Sequence, residues 1–164
     1  MQNLRLIPAL FAAAVLAAFH LPAHAAAGTV EVKSIAEKEV ETVKNGAKTI
    51  RRAPVDKAVP GDEIIYTTTF RNLADKPAGN IVITNPVPND SIYRGGSATG
   101  ANTVITFSAD GGKQYAAPGK LTVTTREGKK RPALPADYTH IRWTYKGALG
   151  AGKSGEVSFR AFIK

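Results

Sequence analysis

From Gly61 onward, apolar and polar residues alternate with a period of two in short runs, and each run closes on Gly, Pro, Asn or Asp. That pattern predicts half-buried strands joined by turns, because successive side chains of a strand point to opposite faces. Ile64, Tyr66, Thr68 and Phe70 share one face of the first strand, which is expected to stop at Arg71-Asn72. Ile81 and Ile83 share a face of the second, closed by Asn85-Pro86 and Pro88 because proline cannot donate to a ladder. Val104 and Thr106 oppose Ile105 and Phe107 in a third run, and Leu121 and Val123 mark a fourth. Ile141, Trp143 and Tyr145 form a fifth, and Val157, Phe159, Ala161 and Ile163 a sixth. Helical periodicity is nearly absent from this part of the chain.

The stretch before Gly61 is ambiguous. Ile35, Glu39, Val40 and Val43 could line a helix, whereas Val30 and Val32 alternate and Asn45-Gly46 is a strong two-residue hairpin signal. Strands are the favoured reading there. The longest loop is expected over residues 126–137. Seven or more short strands with frequent turn residues predict an all-β chain, an antiparallel two-sheet sandwich of immunoglobulin-like kind with Trp143 in its core.

The first residues read differently. Arg5 precedes an apolar run from Leu6 through Leu21, broken only by Pro8 and His20, and Ala23-His24-Ala25 has the small-x-small form of a signal-peptidase site. Residues 1–25 are therefore expected to be an export signal cleaved after Ala25, and residues 26–164 a single domain, with 26–54 forming its N-terminal strands. The apolar run is too short and interrupted for a membrane-spanning helix, so no transmembrane anchor is expected. The product is read as periplasmic, surface-associated or secreted. Composition sharpens that reading: the 164 residues hold 22 Lys and Arg against 13 Asp and Glu and no Cys. Disulfides and thiolate metal sites are excluded, and an electrostatically chosen partner would be anionic.

Val59-Pro60-Gly61-Asp62-Glu63-Ile64-Ile65-Tyr66-Thr67, then Phe70-Arg71-Asn72, then residues 78–88 (AGNIVITNPVP) follow one another in an order that resembles the bacterial conserved-repeat domain, domain of unknown function number eleven. Ser108-Ala109-Asp110-Gly111-Gly112, Ile141-Arg142-Trp143 and residues 149–159 (LGAGKSGEVSF) look like later strands of a single-copy member. The resemblance covers residues 55–164. It implies an exported envelope or surface component with an immunoglobulin-like sandwich and no shared catalytic residues.

Candidate chemistry is sparse. Residues 147–154 (GALGAGKS) satisfy G-x-x-x-x-G-K-[ST], but a phosphate loop needs a helix directly behind it, and the residues that follow alternate as a strand. A glycine-rich hairpin loop is expected there, with no nucleotide bound. Ser108 to Tyr115 resembles the S-x-D-x-G-x-x-W turn with tyrosine in place of tryptophan, a hairpin brace in which Asp110 accepts bonds across the turn. Asp110 has no second carboxylate nearby, so no metal site is expected. His140, the only imidazole after the leader, shares parity with Arg142 and Thr144 and is read as an exposed strand residue. Two basic clusters, Arg51, Arg52 and Lys57, and Arg126, Lys129, Lys130 and Arg131, are candidate polyanion-binding residues.

These readings converge on an exported structural or adhesion-type interaction module of the cell envelope, without catalytic activity or cofactor. Its partner would be an envelope protein or an anionic envelope polymer. The alternative is a periplasmic protein that binds lipopolysaccharide, acidic glycan or extracellular DNA through the basic clusters. A carbohydrate-processing enzyme with unlocated carboxylates is a third class.

Overall fold

The computed structural model describes residues 30–44 and 47–164. The leader read at residues 1–25 and the turn read at Asn45-Gly46 lie outside the described residues. The chain is nearly all β, built from several antiparallel sheets. With strands numbered along the chain, the larger sheet has the order β2 (Ala47–Pro54), β1 (Val30–Lys44), β3 (Glu63–Asn72), β13 (Ser154–Ile163) and β6 (Ser91–Tyr93), and β7 (Thr99–Gly100) also pairs with β13. A three-stranded sheet has the order β5 (Val82–Pro86), β11 (His140–Tyr145) and β8 (Thr103–Ser108). Two small pairs complete it, β9 (Thr122–Thr124) with β10 (Lys130–Pro132) and β4 (Ala78–Gly79) with β12 (Ala148–Leu149).

The alternation seen in the sequence sets the facing surfaces. In the larger sheet Phe70 pairs with Gly155, Tyr66 with Phe159 and Ile64 with Ala161, so these residues share one face. In the smaller sheet Trp143 lies between Ile83 and Ile105, and Ile141 pairs with Phe107. Phe70, Tyr66, Phe159 and Ala161 from the one sheet and Ile83, Ile105, Phe107, Ile141 and Trp143 from the other form a single apolar cluster. Aromatic contacts cross it: Trp143 to Phe159 with centroids 6.3 Å apart, Tyr93 to Phe107 at 5.3 Å and Phe70 to Tyr145 at 5.7 Å. Trp143 is fully buried, as the sequence pattern predicts.

β3 differs from a half-buried strand, because Ile65 and Thr67 on its other face are buried as well. Ile65 stands between Glu37 of β1 and Arg160 of β13, and Arg160 ties to Glu63 and Glu39 at 2.9 and 2.7 Å. Arg94 adds a 2.7 Å bond to Glu63. Arg160 is the cross-strand neighbour of Ile65, so its long stem covers that face while its charged end remains near water.

Asn72 closes the sheet end. It is fully buried, and its amide donates to the carbonyls of Lys76 at 2.8 Å, Leu149 at 2.9 Å and Gly150 at 3.2 Å, while its oxygen accepts from the Ala74 amide at 3.0 Å. One side chain thus fastens two loops, a larger role than ending a strand.

The stretch 30–44 is one long strand, the reading favoured from the sequence, and the helical spacing of Ile35, Glu39, Val40 and Val43 is incidental. Other expectations change. Residues 126–137 are not one loop: they contain β10 and a short 3-10 turn, Pro135–Asp137, which proline-rich sequence disguises. The glycine-rich stretch 147–154 is not a hairpin, because β12 pairs with β4 and β13 enters the larger sheet. β5 also runs through Pro86, which a sheet edge tolerates because its missing N–H faces no neighbour.

Gly155 lies under the ring of Phe70, where a methyl group would collide with the ring carbons. Gly155→Ala is expected to destabilise the domain by about 1–3 kcal/mol, the usual cost of overpacking, measurable as a lowered urea midpoint at unchanged slope.

Candidate functional site

The pairing of β1 with β3 ends at Glu37 and Ile65, yet β1 continues to Lys44 and pairs there with β2 alone. Residues 38–44 and 47–53 therefore form a two-stranded ribbon that outruns the body of the sheet. Its root is held on both faces. Lys38 bonds Asp62 at 3.2 Å and the Lys57 carbonyl at 3.1 Å, while Glu39, its neighbour on the opposite face, bonds Arg160. Arg160 holds the Glu39 carboxyl below its usual range. Asp62 is also lowered, chiefly because it accepts the Val59 amide and then the Lys38 ammonium.

Beyond the root the ribbon is open. Every residue of β2 except Ala53 is exposed, and Ile50 and Val43 keep 71% and 65% of their surface in water. Register splits the first basic cluster, for Arg52 pairs with Glu39 on one face and Arg51 with Val40 on the other. Adjacent strand residues point apart, so Arg51 and Arg52 do not make one patch. Lys57 lies in the segment that follows β2, exposed.

The second cluster sits on the β9–β10 hairpin. Its turn is closed by the Thr125 amide on the Lys129 carbonyl at 2.8 Å, with Glu127 held by the Thr125 hydroxyl at 2.9 Å. Arg126, Lys129 and Lys130 are exposed. Arg131 is engaged elsewhere: its guanidinium takes both oxygens of Asp137 at 2.6 and 2.8 Å. That bidentate pair raises the arginine pKa and lowers that of Asp137, and Asp137 also accepts the Leu134 amide at 2.7 Å. The sequence showed the run of cations but not the partner six residues on, because the 3-10 turn that brings Asp137 back is only three residues long and carries no period of its own.

The turn after β8 behaves as a brace. The Ser108 hydroxyl donates to Asp110 at 2.7 Å, and Asp110 accepts the amides of Lys113 and Gln114 at 3.1 and 3.0 Å, which lowers its carboxyl. Gly111 and Gly112 both adopt positive φ, and a side chain on Gly112 would meet the Tyr115 hydroxyl and the His140 ring. The Arg142 guanidinium lies 3.5 Å from the centre of the Tyr115 ring. His140 is thereby half-buried, not exposed, and burial followed by the Arg142 charge lowers its pKa, with Asp110 opposing. A hollow of about 150 Å³ lies beside this turn between Asp110, Tyr115, Lys120 and Leu121. Small-molecule sites usually exceed about 300 Å³, so the hollow suits a brace better than a ligand.

Among the described residues no group of three or more His, Asp or Glu could hold a metal ion, and no helix is long and apolar enough to cross a membrane. The glycine-rich stretch leads into β13 with no helix behind it, and the Lys153 carbonyl accepts the Asn72 amide at 2.9 Å. The chain matches no protein-family model and no curated protein.

The titrating groups predict acid sensitivity in two stages. His140 binds its proton more weakly folded than unfolded, so its contribution is present above the unfolded value near 6.5 and is lost as pH falls below it. Glu39, Asp62, Asp110 and Asp137 are likewise lowered, so theirs is lost only further down, as pH falls from their unfolded values near 4. Melting temperature followed from about pH 8 to about pH 2 is expected to fall in both windows. His140→Gln should flatten the first and Asp137→Asn reduce the second.

Proposed function

We propose that the chain is an exported, non-catalytic interaction module of the cell envelope, an immunoglobulin-like sandwich whose contact element is the β1–β2 ribbon. The observation that carries this reading is the ribbon itself. It holds Val43 and Ile50 in water and adds nothing to the core, while Lys38 and Glu39 fix its root. Isolated two-stranded hairpins are marginal in water, so an ordered ribbon of this length with exposed apolar residues is better suited to contact than to stability. Two further supports are the apolar leader ending in Ala23-His24-Ala25 and the resemblance of residues 55–164 to the conserved-repeat domain.

The polyanion reading is kept as the second. Arg51, Arg52, Lys57, Arg126, Lys129 and Lys130 are exposed, and none is within ion-pair distance of an acid among the described residues.

Affinity capture from the envelope of the producing cells separates the two. A protein partner should be retained at low and moderate salt, and its recovery should drop at least roughly tenfold when Val43 and Ile50 are both changed to Thr. Phosphate-rich or acidic glycan, recovered only at low salt and lost when Arg126, Lys129 and Lys130 become Gln, would instead establish the polyanion reading.

A further inference from the structure

The outer side of β2 is a sheet edge whose chemistry selects its occupant. In β1 the Ala36 carbonyl accepts the Val55 amide, so even-numbered residues of β1 direct their backbone groups toward β2. The register then turns Ala47, Thr49, Arg51 and Ala53 of β2 inward to β1, and leaves the N–H and C=O of Lys48, Ile50 and Arg52 pointing outward. No described strand pairs with that side.

Two other edges are open in part: β8, six residues long, is met on its outer side only by Ala116 at Phe107, and the far side of β1 beyond Glu37 is unpaired and carries Glu39 and Glu41. The remaining edges are blunted. β5 carries Pro86, β6 is three residues long, and β4 and β12 are two each. β2 is eight residues long, with a proline only at its end, and its guard is purely electrostatic: Lys48, Arg51 and Arg52, with no acid. A guard of one sign repels like strands and admits opposite ones.

We propose that this edge takes an extended acidic polypeptide strand from another protein, lengthening the larger sheet by one strand. The proposal rests on the interaction-module reading and names its partner chemistry. The incoming backbone would pair with Lys48, Ile50 and Arg52; its acids would face Lys48, Arg51 and Arg52, and an apolar residue would face Ile50. A second copy of this chain fits poorly, because antiparallel pairing of two β2 strands about Ile50 sets Lys48 opposite Arg52 twice, and on the unpaired side of β1 the acids Glu39 and Glu41 are already bonded to Arg160 and Lys48. A flexible polyanion fits poorly too. The cations divide between the two faces, and on the face of Lys48 and Arg52 the adjoining row holds Glu41, bonded to Lys48 at 2.8 Å, and Glu39. Only a ligand arriving edge-on, with side chains alternating as those of β2 do, reaches all three cations at once.

The test uses the whole protein as its own cells produce it. The probes are a capped peptide of about six to eight residues, with Glu placed to face Lys48, Arg51 and Arg52 and Val to face Ile50, a scrambled peptide of the same composition, an analogue N-methylated along one edge, and dextran sulfate. Anisotropy gives affinity and hydrogen exchange gives location. The patterned peptide is expected to protect the amides of Lys48, Ile50 and Arg52, and to bind at least roughly tenfold tighter than the scrambled and N-methylated peptides. Ile50→Pro, which removes one outward N–H while sparing the ladder to β1, should weaken it by a similar factor. The N-methylated analogue leaves the protein untouched, so the outcome does not depend on that variant folding.

Equal binding of all peptides and dextran sulfate would overturn the proposal in favour of simple polyanion attraction. Self-association protecting the same three amides would overturn it in favour of a second copy. Absence of protection at β2, with a defined protein still captured from the envelope through Val43 and Ile50, would overturn the edge inference and leave the interaction module standing. Absence of both would remove the two together.

Discussion

The pairing of β3 on both sides is the constraint from which the other features follow. Because β1 and β13 flank it, its backbone is satisfied by residues far away in the chain, and its side chains must find cover on two faces. The inner face is covered by the second sheet through Phe70, Phe159 and Trp143. The outer face is covered by charged chains, with Arg160 joining Glu63 and Glu39 across β13, β3 and β1. Surface ion pairs alone contribute little, typically under about 1 kcal/mol each. Here their value is positional, since the same arginine that crosses Ile65 also fixes where the ribbon leaves the body.

Much of this was legible in the alternation of apolar and polar residues. The strands around Phe107, Trp143 and Phe159 announce themselves because alternate residues face the core, and the pattern puts Trp143 in the core, where it lies. β3 was read as half-buried because period two can mark only one face; the doublet Ile64-Ile65 was the signal that both were covered. β6, β7 and β10 escaped because two or three residues carry no period, and β10 ends on a proline that ordinarily argues against a strand. Charge was the least legible quantity. A run such as Lys129-Lys130-Arg131 counts alike on paper, whereas in the fold Arg131 is held by Asp137 and its neighbours are not. His140 likewise depended on a distant turn, since only the folded chain lays Gly112 against its ring.

The body and the ribbon are built by different rules. In the body, Gly155 leaves room for Phe70 and Asn72 saturates three carbonyls, so substitution disturbs packing or leaves buried polar groups unpaired. The partners of β3 also come from both ends of the described chain, with Val30 and Ser154 pairing to residues only one apart, Asn72 and Arg71. Such long-range closure makes for slow folding, because much chain entropy is lost before the contacts that reward it.

The ribbon, beyond Lys38 and Glu39, owes nothing to that closure. Its distal residues touch no part of the core, so most changes of side chain there leave the free energy of folding almost untouched. A lineage carrying this domain can therefore rewrite Lys48, Ile50, Arg51 and Arg52 without rebuilding the domain that carries them. Selection on what is recognised is thereby decoupled from selection on being folded, and descendants that differ in recognition can share one scaffold.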